Sequence, residues 1–235
     1  MNKPFLSNRS ASALLLAAFL AVSGCASTGS SSSNPTAGSD TGAQSVKLED
    51  TALHLHPESG VSLTGEIYMM RGLANIFSRG MDRMTERMRA QGYDVVSFNH
   101  SRWEEYAADI IEREKNDKIS YPIIIMGHSL GANEAPQMAN YLADHGIRTS
   151  LIIGFDPTEP QIVGKNVDAV INYYLPSGGN IYRKTKSFKG TLSNINVSSF
   201  PGIKHVNVEK NHKLQSRSIA KVKALTKPLK KRREG

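Results

Sequence analysis

Ten residues constrain this chain more than any others: Ile123-Ile124-Ile125-Met126-Gly127-His128-Ser129-Leu130-Gly131-Ala132. An apolar run with strand character enters a Gly-x-Ser-x-Gly turn and leaves it with helical spacing. Strand, tight serine turn and helix, in that order, lift a hydroxyl out at the edge of a sheet, where it can act as a nucleophile. Gly127 and Gly131 lack a Cβ, so strand and helix can approach closely. Ala132 adds a third small residue at the crossing. A bare Gly-x-Ser-x-Gly arises by chance in about one chain in ten of this length. The flanking strand and helix are therefore what make the pattern a candidate site.

The chain around this turn alternates in period. Strands are predicted over 66–70, 93–98, 121–126, 150–155, 167–174 and 192–197. Between them, Met81, Met84 and Met88 share one helical face closed by Gly92. Ser101 and Glu104 form a capping-box pattern ahead of a stripe of Trp103, Tyr106, Ala107, Ile110 and Ile111. Ala135, Met138, Ala139 and Leu142 give the helix after Ser129 a buried face, and a last helix is predicted over 214–225. Pro136 lies early in the helix after Ser129; either the helix bends there or it restarts with Asn133 as its cap. Strands alternating with helices imply parallel pairing with right-handed crossovers. The expected fold is an α/β/α sandwich of three layers around a mostly parallel sheet of about six strands, and isoleucine- and valine-rich strands suit a sheet covered on both faces.

The chain has 235 residues, 39% of them hydrophobic, enough for one sizeable core. Lys3 and Arg9 precede an unbroken apolar run from Ala13 to Val22, which reads as the core of a secretory signal. Val22-Ser23-Gly24-Cys25 follows, similar to the lipobox of bacterial lipoproteins; the alternative is a plain signal peptide. Cys25 is the sole cysteine, so no internal disulfide is possible. Ala26 rather than Asp follows it, which by resemblance to sorting signals points to the outer membrane. The expected organisation is a lipoprotein signal peptide over 1–24, lipidated Cys25 and a linker to residue 45, a folded domain over 46–226 and a basic tail over 227–235. Membrane attachment is expected through Cys25. The net charge of +8 owes much to the stretch from Lys221 to Arg233. No aromatic residues interleave with it, so no nucleic acid is expected as a partner. His54-Leu55-His56 has no convincing third ligand, and neither a metal nor a cofactor is expected.

Gly127-His128-Ser129-Leu130-Gly131, the later Phe155-Asp156-Pro157-Thr158 and the late Gly202-Ile203-Lys204-His205-Val206 together resemble the α/β-hydrolases. The resemblance spans about residues 64–225, closest to small bacterial lipase- or thioesterase-like members without a large lid domain. It implies Ser129 as nucleophile, Asp156 as the orienting acid and His205 as the base, in the family's chain order. His212 is the alternative base. Asp168 begins a strand, at the wrong edge for an acid. His128 packs or orients the turn. The oxyanion donors implied are the N–H of Leu130 and, from Met70-Arg71-Gly72-Leu73, that of Leu73; Arg71 departs from the family's usual His-Gly. Arg71, Gly72, His100 and Trp103 are candidates for a substrate pocket, although Trp103 is equally a core residue. Arg183, Lys184, Lys186 and Lys189 form either a solvated loop or an anion-binding surface. The expected function is a membrane-tethered serine hydrolase that cleaves small esters or lipids. The alternatives are a thioesterase, or a catalytically silent envelope-binding module on the same fold.

Overall fold

A computed structural model describes residues 64–73, 78–176 and 180–228. The expected signal peptide, Cys25, the linker, most of the basic tail and the His54/His56 pair lie outside the described residues. Six parallel strands form the main sheet: β1 (Glu66–Arg71), β2 (Val95–Asn99), β3 (Ile123–His128), β4 (Thr149–Phe155), β6 (Ala169–Tyr174) and β8 (Thr191–Asn196). Their spatial order is β2-β1-β3-β4-β6-β8. Four helices accompany them: α1 (Arg79–Arg89), α2 (Trp103–Glu114), α3 (Leu130–Asp144) and α4 (His212–Leu225). No helix among the described residues is long and apolar enough to cross a membrane.

The alternation of side chains along each strand splits the core into two clusters, one per face. Ile67, Met69, Ile124, Met126, Leu151 and Ile153 point towards α1 and α4, meeting Met81, Met84, Met88, Leu214 and Val222. Tyr68, Met70, Ile123, Ile125 and Ile152 point the other way, towards α2 and α3, meeting Tyr106, Ile110, Met138 and Leu142. The expected three layers and doubly covered sheet are therefore present. One buried polar group is fully paired within this core: the Glu66 carboxylate at the start of β1 accepts from Arg113 Nη1 and Nη2, at 2.9 and 3.0 Å, and from the Tyr68 hydroxyl.

The chain runs from β1 outward to β2, then crosses back over β1 to β3. Between β1 and β3 the direction of winding reverses. In an open parallel sheet such a reversal opens a crevice beyond the carboxyl ends of the strands. The chain enters β1 next to the point where it leaves α4: Lys227 N–H donates to Thr64 O at 2.8 Å.

Three local expectations change. The Ser101/Glu104 capping box does not form; Asn99 Oδ1 accepts from Ser101 N–H at 3.0 Å and starts a short 3-10 turn that leads into α2. Of the two alternatives at Pro136, the restart capped by Asn133 does not occur: α3 begins at Leu130 and runs through Pro136. Pro136 has no N–H to give the carbonyl one turn back, that of Ala132, and the Tyr182 hydroxyl donates to that carbonyl instead. Tyr182 comes from a small parallel ribbon absent from the sequence reading, β5 (Gln161–Val163) with β7 (Tyr182–Lys184). Gly154 leaves it room: a Cβ there would lie 2.3 Å from the Tyr182 hydroxyl.

Candidate functional site

Ser129 sits where β3 turns into α3, in the crevice at the reversal of winding. Its backbone is left-handed, φ 57° and ψ −121°. A non-glycine residue there is strained by an order of 1–3 kcal/mol and needs its surroundings to hold it. The surroundings are packed without slack. A Cβ on Gly127 would lie 2.0 Å from Gly131 O, and one on Gly131 would lie 2.4 Å from Met70 O. Ser129 N–H is held by Phe155 O at 3.0 Å. Gly72, at the end of β1, backs the serine: a Cβ there would lie 2.8 Å from Ser129 Cβ.

His205 Nε2 lies 2.9 Å from Ser129 Oγ, and His205 Nδ1 lies 2.8 Å from Asp156 Oδ2. These three side chains come from distant parts of the sequence and meet at the carboxyl edge of the sheet. Asp156 directly follows β4, is buried, and also has a positive φ, 50°. Its second oxygen, Oδ1, accepts from Leu175 N–H at 2.8 Å. A carboxylate fixed in this way holds the imidazole as the Nδ1–H tautomer and leaves Nε2 to take a proton from the serine. His205 opens a 3-10 turn, His205–Lys210, whereas His212 is exposed at the start of α4 and does not approach Ser129. Asp168 is ion-paired with Arg148 at the opposite edge of the sheet.

A cavity of about 440 Å³ opens over Ser129. Leu73, Leu130, Val206 and Thr158 line it together with Ser78, His128, Ser129 and His205. Leu73 and Val206 are exposed at its lips. Leu130 is the first residue of α3, so its N–H has no carbonyl one turn back to bond. The N–H of Gly72 is used: it donates to Ser78 Oγ at 2.8 Å. Among the described residues of the loop after β1, Leu73 N–H remains as a donor for an oxyanion.

The other expected pocket residues are placed elsewhere. Arg71 is buried and turns away to Asp82 of α1, at 3.3 Å. Trp103 packs edge-on against Tyr141 of α3, with ring centroids 5.9 Å apart, as part of the core. His100 is not in the cavity wall; burial lowers its pKa from the ordinary value. Of the basic cluster, Arg183 and Lys184 are exposed on β7, and Lys189 borders a separate hollow at the opposite edge of the sheet.

Three contributors were not read as site residues from the sequence. Ser78 occupies the cap position of α1, yet its hydroxyl makes no cap bond and turns into the site. Asn133, buried in the first turn of α3, grips the loop after β4: its Nδ2 donates to Thr158 Oγ1 at 2.7 Å and its Oδ1 accepts from Thr158 N–H at 2.9 Å. Glu209 is fully buried beneath the site, 3.6 Å from His128 Nε2. That approach is no ion pair near neutrality, because burial pushes both groups towards their neutral forms. Burial lowers the His128 pKa to about 4 and raises that of Glu209 to about 7. A buried Asn or Glu has no local sequence signature, and only the cap-like position of Ser78 hinted at a role.

Sheet order, elbow and the chain order of the three side chains decide the architecture. The chain has an α/β-hydrolase-like fold. No protein-family model matches the sequence, and no curated protein is similar to it at a significant level. Solved structures similar to it in fold include a protein assigned to the α/β hydrolase superfamily from Xanthomonas campestris pv. campestris, 13% identical over 67% of this chain and 97% of that one, with a TM-score of 0.39. The NocB thioesterase domain from the nocardicin cluster is 10% identical over 68% of this chain and 93% of that one, TM-score 0.40. The thioesterase domain that cyclizes the lipopeptide antibiotic surfactin is 12% identical over 68% and 91%, TM-score 0.40. At these identities and TM-scores the likeness carries no argument about what this chain does. No group of three or more potential metal ligands occurs among the described residues.

Proposed function

We propose that this protein is a serine hydrolase that cleaves carboxylic esters through an acyl-enzyme. The observation that carries the reading is the continuous path from Asp156 Oδ2 through His205 to Ser129 Oγ, at 2.8 and 2.9 Å, beneath an apolar cavity. Ser129 Oγ attacks the ester carbonyl carbon while its proton passes to His205 Nε2. Leu130 N–H and Leu73 N–H receive the oxyanion; losing one such donor costs about 3 kcal/mol of transition-state stabilisation. The carbon–oxygen bond to the alcohol breaks, and His205 returns the proton to the departing oxygen. Water, deprotonated by the same imidazole, then attacks the acyl carbon and releases the acid and the serine.

Thioesters use the same machinery and are the second reading. What favours plain esters is the cavity wall: none of its described residues is a lysine or arginine that would grip a phosphate-bearing carrier. Attachment to the cell envelope through a lipidated Cys25 belongs to the same proposal, supported by the lipobox-like Val22-Ser23-Gly24-Cys25. A fluorophosphonate probe and a panel of p-nitrophenyl esters from acetate to palmitate, with a thioester control, test the chemistry. The wild type should label and turn over ester, and Ser129→Ala should do neither. A wild type that fails to label, or a Ser129→Ala variant that labels equally, defeats the hydrolytic reading in favour of a silent binding module. Palmitate incorporation in cells, lost in Cys25→Ala, tests the anchor.

A further inference from the structure

The residue before the nucleophile, His128, is buried and has a partner at each ring nitrogen. Nδ1 lies 2.9 Å from Ser78 Oγ, and Nε2 lies 2.9 Å from the main-chain carbonyl oxygen of His205. A carbonyl oxygen can only accept, so Nε2 carries the hydrogen. In a neutral ring Nδ1 is then an acceptor, and the Ser78 hydroxyl donates to it. The oxygen of that hydroxyl in turn accepts from Gly72 N–H. Every hydrogen in the series has one direction: Gly72 to Ser78, Ser78 to His128, His128 to His205. The series begins on the β1 loop that carries Leu73 and ends on the main chain of the general base.

We infer that His128 is a positioning residue: its imidazole suspends both the His205 turn and the Leu73 loop at fixed distances from Ser129, in the tautomer that the His205 carbonyl requires and the Ser78 hydroxyl completes. The role rests on the proposed Ser129–His205 chemistry. Other contacts hold the far end of the same turn. Gln215 Nε2 donates to Glu209 O at 2.8 Å, and Gly80 of α1 packs against Glu209 so closely that a Cβ would lie 2.6 Å from its carbonyl oxygen. At the near end the Asn207 side chain accepts from Lys204 N–H at 2.7 Å and donates to Gly202 O at 3.0 Å, and the His128 N–H is the side-chain bond made to the main chain of the base itself. The charged and titratable groups around the ring are Glu209 and Lys210 of the turn, His205 itself and Asp156 behind it.

The test compares the wild type with His128→Leu, His128→Gln and Ser78→Ala, in the full chain. Glutamine can place an N–H where Nε2 stood; leucine fills the space without one. A base displaced by about 1 Å can lose on the order of a hundredfold in rate. His128→Leu should therefore lower kcat for p-nitrophenyl acetate, and the rate of fluorophosphonate labelling, by roughly 10- to 100-fold with KM nearly unchanged. His128→Gln should recover most of that loss. Nitrogen-15 NMR of the ring should show the Nε2–H tautomer in the wild type, and still in Ser78→Ala, where the His205 carbonyl remains as acceptor. A His128→Leu variant as fast as the wild type, a glutamine variant as slow as leucine, or an Nδ1–H tautomer in the wild type overturns the inference while leaving the hydrolase reading intact. Failure of the hydrolase reading is separately visible as a wild type that does not label, and it removes this role as well.

Discussion

Replacing Glu209 by glutamine should make the protein more stable, and more so at alkaline pH. The carboxyl is fully buried, and neither oxygen has a hydrogen-bond partner among the described residues. Burial favours its neutral form and moves its pKa from the ordinary 4.5 to about 7. An acid whose folded pKa is raised keeps its proton in the native state after the unfolded chain has released it. Stability is therefore intact below pH 4.5, falls as pH rises, and has lost its full share once pH exceeds 7. The gap corresponds to about 3 kcal/mol at pH 8 and about 1 kcal/mol at pH 5. Glutamine has nearly the shape of the protonated acid and cannot ionise. Glu209→Gln should thus gain about 3 kcal/mol at pH 8, or roughly 6–12 °C in melting temperature for a fold of this size, and about a third of that at pH 5. Urea or thermal unfolding of both proteins at the two pH values reads the difference directly. Equal gains at both pH values, or a less stable variant at pH 8, would refute the assignment of a buried carboxyl whose desolvation outweighs the Lys210 ammonium 3.7 Å from Oε1.

Other perturbations follow from the same reasoning. His128 runs in the opposite sense: burial keeps its ring neutral down to about pH 4, so wild-type stability should also fall as pH drops from 6.5 towards 4, and His128→Gln should flatten that limb in an acid titration of unfolding. Tyr182→Phe strands the Ala132 carbonyl left open by Pro136 and should cost about 1–3 kcal/mol; a double-mutant cycle with Pro136→Ala, which restores the helical N–H, should recover part of it. Arg113→Met leaves the buried Glu66 carboxylate without its cation and should cost about 3–5 kcal/mol in urea unfolding. Asp156→Asn should keep the fold by circular dichroism yet lower kcat by roughly 10³–10⁴, because the amide can hold the imidazole in the wrong tautomer.

The parts of the molecule that were legible in its sequence are those decided within a few residues. The elbow was readable because Gly127 answers to a clash with the backbone of Gly131 one turn away, and α1 because Met81, Met84 and Met88 repeat on one face; the clash that demands Gly131 comes from Met70, far off in the chain. Asp156 and His205 could be named because each follows a strand at the edge that Ser129 defines. What escaped depends on distant neighbours. The β5–β7 ribbon has three residues per strand, too few for a period, and its placement rests on a tyrosine reaching a carbonyl exposed by a proline 46 positions earlier in the chain. Ser78 reads as an ordinary helix cap until its hydroxyl is seen to turn towards His128, 50 residues away. Arg71 ends its strand and Trp103 follows one at the correct edge, but the first is drawn to Asp82 and the second to Tyr141, so adjacency to the site in sequence did not place them in its wall.

The hydrogen bond between Lys227 and Thr64 has a practical meaning. Incoming and outgoing chain meet at the amino edge of the strands, while the hydroxyl of Ser129 stands beyond their carboxyl ends. A label fixed at Thr64 or Lys227, where the described domain begins and ends, therefore sits on the face away from the cavity.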